Sequence, residues 1–367
     1  MLPISAFYKA DCGVQVNILA ELVDDKNMNV RLRCCQMLSF YMTCLLNQYD
    51  HQQRLLPYLL SFFCDSCDKI RNCAFLAIEN IGQQYETENS DSVIERRQFG
   101  VDGDTRCNSE EQLPHPFEVR PRLGSRLFVR SNRKRFFMAL LGELTSCISK
   151  RRERSSNLLQ ILVIYCEEHL TMDISQTLTL IAHAVKLAMS EPDDKEHRSL
   201  KESILNASKL IGRYVDPETY IPFLLPRVCG QVDSGTTFAE GGIHSEMSKA
   251  SYASVFAAMI QGSLPVRLEP HFLTILESIT SDDIIGNFSG VIVKREALRV
   301  LIHLLQRLDK TTSKWSQLDY NKKHEKNEKR LQLHLKLFKD KLETIQKKEN
   351  DSEILFLTTE GIHLLTS

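Results

Sequence analysis

The segment from Leu55 to Tyr85 constrains the fold most, because it predicts two helices joined by a tight acidic turn. Its first half spaces apolar residues at the helical period of 3.6, which gives one apolar stripe. The residues of this stripe are Leu55, Leu56, Leu59, Leu60 and Phe63. The second half forms a similar stripe from Ile70, Ala74, Ile78 and Ile81, and Gly82 is predicted to end this second helix. A helix pair of this kind cannot bury its stripes alone and needs a similar neighbour.

The same order of residues occurs upstream, where Val30-Arg31, Cys34 and Leu38 match Ile70-Arg71, Ala74 and Ile78 at an offset of 40 (70 − 30). This offset lies within the roughly 40–47-residue period of HEAT and armadillo repeats. An aspartate, Asp25 or Asp65, lies a few residues before each arginine. We expect the arginines to reach back to turn carboxylates and carbonyls, within a helix pair or between neighbours. The pattern therefore predicts an all-α fold, an α-solenoid of HEAT/armadillo-like antiparallel helix pairs.

The helical pattern divides the chain into four parts. They are HEAT-like repeats in 1–85, with the first repeat truncated, an acidic mobile loop in 86–122, further HEAT-like repeats in 123–309, and a polar linker with C-terminal helices in 310–367. No polar capping repeat precedes the first helix, so we expect a fragment or isoform that lacks upstream repeats.

The C-terminal part contains a short heptad stripe formed by Leu331, Leu335, Phe338, Leu342 and Ile345. Two heptads are too few for a stable free coiled coil, for which about three or four are needed. We therefore expect this helix to pack on the last repeat as a cap. Presentation of the stripe to a partner's groove is the alternative.

Charge is distributed unevenly on either side of residue 120. Residues 86–118 carry nine Asp/Glu and three Arg, a net charge of −6, whereas Arg120–Arg154 carries eleven Lys/Arg and two Glu, a net of +9. This second segment, the basic belt, either neutralises the acidic loop or binds an acidic partner. The run Lys150–Arg154 also resembles a nuclear import signal. The candidate partner-binding residues are Arg122, Arg126, Arg130, Arg133, Lys134 and Arg135.

Composition excludes several classes of protein. A net charge of −1 over 367 residues argues against a general nucleic-acid or membrane-surface binder. No apolar run reaches the roughly 18 residues of a membrane span, and the N-terminus does not resemble a signal peptide. The chain has eleven cysteines, several at apolar helical positions, namely Cys34, Cys73, Cys147 and Cys166. Free buried cysteines are typical of a reducing compartment, so we expect a cytoplasmic protein.

No catalytic motif is recognisable. Cys64 and Cys67 form a CxxC, but neither a βαβ setting nor a second pair at zinc-ligand spacing accompanies it. Glu167-Glu168 is interpreted as a solvated helix end. We therefore expect no enzyme activity, no cofactor and no metal, although an enzyme built within the helices is an alternative, which predicts a polar cluster in a closed cavity.

Several segments resemble the HEAT-repeat family of axonemal dynein assembly factors. They are Tyr49-Asp50-His51, Arg54–Pro57, Ile70-Arg71, Ile81–Tyr85, Arg120–Gly124 and Leu158–His169. The resemblance covers about residues 15–310. The acidic loop looks longer and diverged, the upstream repeats are missing, and the segment after residue 310 has no match.

The resemblance implies a cytoplasmic scaffold that helps pre-assemble dynein arms for motile cilia. The partners it implies are dynein intermediate and heavy chains, other dynein assembly factors and chaperones, without nucleic acid or membrane. A generic HEAT scaffold, such as a phosphatase regulatory subunit or a nuclear-transport adaptor, is the alternative. A purely structural repeat with no partner site on these residues is another.

Overall fold

Helices account for nearly all the regular structure that is described for this chain. The computed structural model describes residues 8–11, 14–44, 48–91, 113–191, 195–231, 245–286, 289–315 and 322–366. The chain divides into two compact units, Met1–Glu167 and Glu168–Ser367. We refer to them as the N-terminal and C-terminal units.

The N-terminal unit begins with a short β-hairpin, which the all-α prediction did not include. Strand β1 (Tyr8–Asp11) pairs antiparallel with β2 (Val14–Asn17), where Val14 and Val16 alternate with polar residues at the period of a strand. Asn17 then caps the first helix, since its side chain accepts a hydrogen bond from the N–H of Ala20 at 3.2 Å. The helices that follow are α1 (Ile18–Val23), α2 (Met28–Cys44), α3 (Gln48–Ser61), α4 (Asp68–Glu88), α5 (Leu123–Asn132), α6 (Phe137–Glu143) and α7 (Ser149–Cys166).

These helices pack in chain order. Helix α2 contacts α3 and α4, α4 contacts α5, and α7 contacts both α5 and α6. The two predicted stripes of Leu55–Tyr85 are buried throughout, from Leu55 to Ile81. The prediction of HEAT-like helix pairs is therefore confirmed. Helix α6 ends at Glu143, and the exposed Ile148 directly precedes α7.

The predicted arginine contacts are present within and between neighbouring repeats. Arg31 donates to both carboxylate oxygens of Asp65, at 2.7 and 3.1 Å, and to the carbonyl of Asp25 at 2.8 Å. Arg71 reaches the carbonyl of Asp65 in the same way. Burial would raise the pKa of Asp65, but the hydrogen bonds from Arg31 and from the backbone N–H of Cys67, together with the charges of Arg31 and Arg154, outweigh burial and lower that pKa. Arg31 thus ties the turn of one repeat to the turn of the next.

The C-terminal unit is likewise built from helices that pack on one another. Its helices are α8 (Ile174–Ser190), α9 (Lys195–Tyr214), α10 (Pro217–Cys229), α11 (Glu246–Gly262), α12 (Pro265–Leu268), α13 (Phe272–Ile279), α14 (Asp282–Ile285), α15 (Val291–Trp315), α16 (Lys322–Lys348) and α17 (Ser352–Thr366). Helix α9 contacts α8 and α11, α11 contacts α15, and α15 contacts α17. The acidic loop predicted for 86–122 lies mostly outside the described residues.

Helix α16 packs its heptad stripe inward. Phe338 and Leu342 are fully buried, whereas Leu331, Leu335 and Ile345 are partly buried. The helix contacts α13 and α17. The role of this helix as a cap stays a prediction. From Arg330 to Lys348, the opposite face of α16 is exposed.

Gly82 does not end its helix, because α4 continues to Glu88. A Cβ on Gly82 would lie 2.4 Å from the backbone nitrogen of Ser125, and one on Gly124 would lie 2.0 Å from the carbonyl oxygen of Gly82. The C-terminal unit repeats this arrangement, since a Cβ on Gly262 would lie 1.8 Å from the carbonyl oxygen of Lys209. The glycines therefore permit close backbone approach between helices.

We expect Gly82→Ala and Gly124→Ala each to lower the free energy of unfolding of the N-terminal unit by about 1–3 kcal/mol, because the added methyl group meets backbone atoms. Gly142→Ala in α6 is the matched control, since no heavy atom of the described residues lies within 4 Å of its Cβ position. This control should be neutral or slightly stabilising. Urea unfolding of the three variants measures the difference, and equal stability would contradict the close-approach explanation.

Candidate partner-binding surface

Three arginines of the basic belt converge on one buried carboxylate instead of facing solvent. Arg126 and Arg130 lie one turn apart on α5, and Arg120 precedes that helix. Arg120 donates to both oxygens of Glu167, at 2.8 and 2.9 Å. Arg126 and Arg130 donate to the Oε2 atom at 2.9 and 2.5 Å. We call these four residues the Glu167 cluster; the Glu167 side chain is 1% exposed.

The cluster also fixes backbone at the end of α7. Arg130 donates from Nε to the carbonyl of Tyr165 at 2.9 Å, and Arg126 donates to the carbonyl of Pro121 at 3.0 Å. Glu167 has φ 48°, in the left-handed region that a non-glycine residue seldom adopts. The bonds to its side chain offset the cost of this conformation, which is of order 1–3 kcal/mol. The cluster therefore sets where the chain turns after α7.

The charge balance of the cluster is reflected in the pKa of Glu167. Burial would raise this pKa, but the hydrogen bond from Arg120 and the charges of Arg126, Arg120 and Arg130 outweigh it and lower it. The interpretation of Glu167 as part of a solvated helix end is therefore wrong. One feature of the sequence could have indicated a buried counter-charge. Arg126 and Arg130 share a helix with Leu123 and Leu127, which are buried, and arginines in such surroundings need a carboxylate partner.

The six predicted partner-binding residues lie in different environments. Arg126 and Arg130 belong to the Glu167 cluster, and Arg133 is buried with its guanidinium 5.4 Å from the centre of the Phe137 ring. Arg122 is partly exposed and lies 3.4 Å from a carboxylate oxygen of Glu79. Lys134 and Arg135 are exposed. Partner binding stays a prediction, but the three buried arginines cannot act as surface contacts in this structure.

A groove of about 410 Å³ lies within the N-terminal unit, large enough for a small ligand. Its lining residues are Phe63, Cys64, Asp65, Arg71, Pro114, His115, Asn157, Gln160 and Ile161. Burial raises the pKa of the Cys64 thiol to about 12, so this cysteine of the CxxC is protonated at neutral pH and a poor nucleophile.

Of the cysteines that the sequence analysis expected to be buried, Cys147 is exposed.

The described residues contain neither a metal-binding group nor a helix that could span a membrane. Within those residues, no group of three or more His, Cys, Asp or Glu side chains could hold a metal ion. None of the helices in the described ranges combines the length and apolar character that crossing a membrane requires.

Helix pairs that pack in chain order, with Arg31 joining one turn to the next, define the class of HEAT-like repeat proteins. The family model described as "Dynein axonemal assembly factor 5, HEAT-repeat domain" matches residues 112–321, more than half of the chain. The chain therefore belongs to the dynein axonemal assembly factor 5 family, as the resemblance indicated. A second family model, "Dynein axonemal assembly factor 5-like, TPR repeats", matches residues 12–96, where the sequence predicted HEAT-like repeats.

Curated relatives agree with this assignment. The chain is 25% identical over 281 residues to dynein axonemal assembly factor 5 of Xenopus laevis, covering 76% of this chain and 30% of that protein. It is 24% identical over 258 residues to the protein of that name from Homo sapiens, covering 70% of this chain and 26% of that protein. The chain thus spans less than a third of the length of these relatives.

Solved structures give a weaker similarity. The archaeal HEAT-like repeats protein from Thermococcus onnurineus NA1 aligns with a TM-score of 0.34 at 14% identity, covering 90% of this chain and 97% of that chain. An overlap at this TM-score supports no conclusion about the arrangement of the helices.

Proposed function

We propose that this chain is part of a non-catalytic scaffold for the cytoplasmic pre-assembly of axonemal dynein arms, which motile cilia require. The match of residues 112–321 to the HEAT-repeat domain of a dynein axonemal assembly factor carries this proposal. The fold supports it, because helix pairs that pack on one another within each unit present surfaces suited to binding another protein.

The proposed partners are dynein intermediate and heavy chains, other dynein assembly factors and chaperones, with neither nucleic acid nor membrane. The proposed mechanism is surface adsorption, in which exposed basic side chains and adjoining helices hold partly assembled subunits. Of the basic belt, Lys134, Arg135, Lys150 and Arg151 are exposed and can make such contacts. Each contact contributes little, and several together contribute more.

Affinity purification from ciliating cells, with the folded chain as bait, tests the function. The expected result is enrichment of dynein chains together with assembly factors or chaperones. Recovery of a phosphatase catalytic subunit or a small GTPase in their place would instead support the generic HEAT scaffold. Absence of all dynein chains from the bound fraction would refute the proposal.

We expect the double charge reversal Lys134→Glu and Arg135→Glu to reduce recovery of dynein chains several-fold, with the difference shrinking at high salt. Arg33→Glu with Lys69→Glu is the matched control, because these exposed residues lie on α2 and α4, outside the basic belt. Alanine at all six predicted positions would be a poorer test, since it also dismantles the Glu167 cluster. Equal recovery by both double variants would remove the basic belt from the mechanism.

A further inference from the structure

The outer face of α16 carries two leucines that the other described residues of the C-terminal unit leave exposed. Leu333 is 57% exposed and Leu337 is 49% exposed, and the two lie one helical turn apart. The inner face is formed by Phe338 and Leu342, which are buried. Since α16 is already packed on α13 and α17 through that inner face, the outer leucines are not needed to hold it there.

Positive charge surrounds this leucine pair. The sequence of α16 contains ten Lys/Arg and four Asp/Glu, a net charge of +6. At about 100° per residue, five of the six basic residues from Arg330 to Lys348 fall on the same half of the helix as the leucines, with one acidic residue, Asp340. These five are Arg330, Lys336, Lys341, Lys347 and Lys348.

Some of these basic side chains form ion pairs within the unit, and others are available to bind a partner. Arg330 and Lys341 are engaged at the margins of the face, by Glu277 at 2.7 Å and by Asp282 at 2.7 Å. Lys336, Lys347 and Lys348 are exposed and form no ion pair with a residue in the described ranges. The face therefore combines an apolar anchor of two leucines with unneutralised lysines.

We propose that the outer face of α16 is a docking surface for an acidic amphipathic helix of another protein, with Leu333 and Leu337 as its apolar anchors. An i, i+4 apolar pair is the spacing by which helices pack into one another's surface grooves. Acidic residues on the docked helix would complement the three free lysines. A membrane surface fits less well, because interfacial helices bury a broad apolar face and this one offers two leucines.

Fluorescence anisotropy with the full chain tests the docking surface. The probe is a labelled synthetic 18-residue helical peptide with leucines on one face and glutamates on the other. We expect saturable binding that weakens at least tenfold in the double variant Leu333→Glu and Leu337→Glu. Phe356→Glu is the matched control, because Phe356 on α17 is 66% exposed and lies outside this face; it should bind the peptide like the parent chain.

Two further measurements distinguish binding of an acidic helix from binding of a lipid surface. A peptide with lysine in place of every glutamate should fail to bind, and Lys336→Glu with Lys347→Glu should weaken binding of the acidic peptide and reduce its salt dependence. Binding to phosphatidylserine vesicles without binding of the acidic peptide would overturn the proposal in favour of a lipid surface. Equal peptide affinity for the parent chain and the leucine double variant would also overturn it. None of these outcomes depends on the dynein assembly role, which the purification experiment tests separately.

Discussion

Replacement of Glu167 by glutamine is expected to lower the free energy of unfolding of the N-terminal unit by about 3–5 kcal/mol, the usual cost of removing one partner of a buried ion pair. Glu167 is a carboxylate partner that Arg120, Arg126 and Arg130 share, and its side chain is 1% exposed. Glutamine keeps the size of the side chain but removes the negative charge. Three guanidinium groups would then share a neutral amide in a site that water reaches poorly.

Urea unfolding combined with hydrogen exchange of α5 and α7 amides measures this loss in the unit concerned. Glu153→Gln is the matched control, because Glu153 is an exposed residue of α7. Its effect should stay within about 0.5 kcal/mol. If the two variants unfolded alike, the Glu167 cluster would not be a stabilising contact.

The same cluster predicts a dependence of stability on acid. The pKa of Glu167 is lowered from its ordinary value of 4.5 in the folded chain, so folding favours the ionised form. The contribution of Glu167 to the free energy of unfolding is therefore fully present above pH 4.5. It is lost as the pH falls through the lower pKa that Glu167 has in the folded chain. Glu167→Gln should remove this part of the acid sensitivity, so the stability difference between the parent chain and the variant should narrow as the pH is lowered.

Leu59→Ala and Ile78→Ala should each cost about 2–5 kcal/mol, because each leaves a cavity in a close-packed interior. Leu59 on α3 and Ile78 on α4 are both fully buried. The sequence predicts that they face each other within one helix pair. A double-mutant cycle tests whether the two side chains are in contact. Residues in contact show a coupling energy of about 0.5–3 kcal/mol, whereas the changes in unfolding free energy caused by two distant substitutions simply add.

Leu76→Ala is the control for these core variants. Leu76 lies on the same helix as Ile78 but is exposed, so its loss should change stability by less than about 0.5 kcal/mol. A melting shift near zero for Leu59→Ala or Ile78→Ala would mean that the helix pair has been placed wrongly.

The sequence predicted most of the helices because helical periodicity is a local property. The stripes of Leu55–Tyr85 follow from the spacing of apolar residues alone. The Arg31 contact with Asp65 could also be predicted, since the repeat offset brings equivalent turns together. The hairpin of Tyr8–Asn17 was missed because each strand is only four residues long.

The sequence by itself determined the helical-repeat class, the pairing of helices and the arginine contact that joins one turn to the next, because apolar stripes that repeat along the chain must be buried against one another. Only the tertiary structure decided that Glu167 is an interior counter-charge, that Gly82 lies at a helix crossing, and that Lys134 and Arg135 face solvent while Arg126 does not. The physical reason is that both features depend on contacts between segments about 40 positions apart in the chain. Such contacts decide whether a charge is buried and whether a position has room for a Cβ atom, and the spacing of residues along one helix does not predict them.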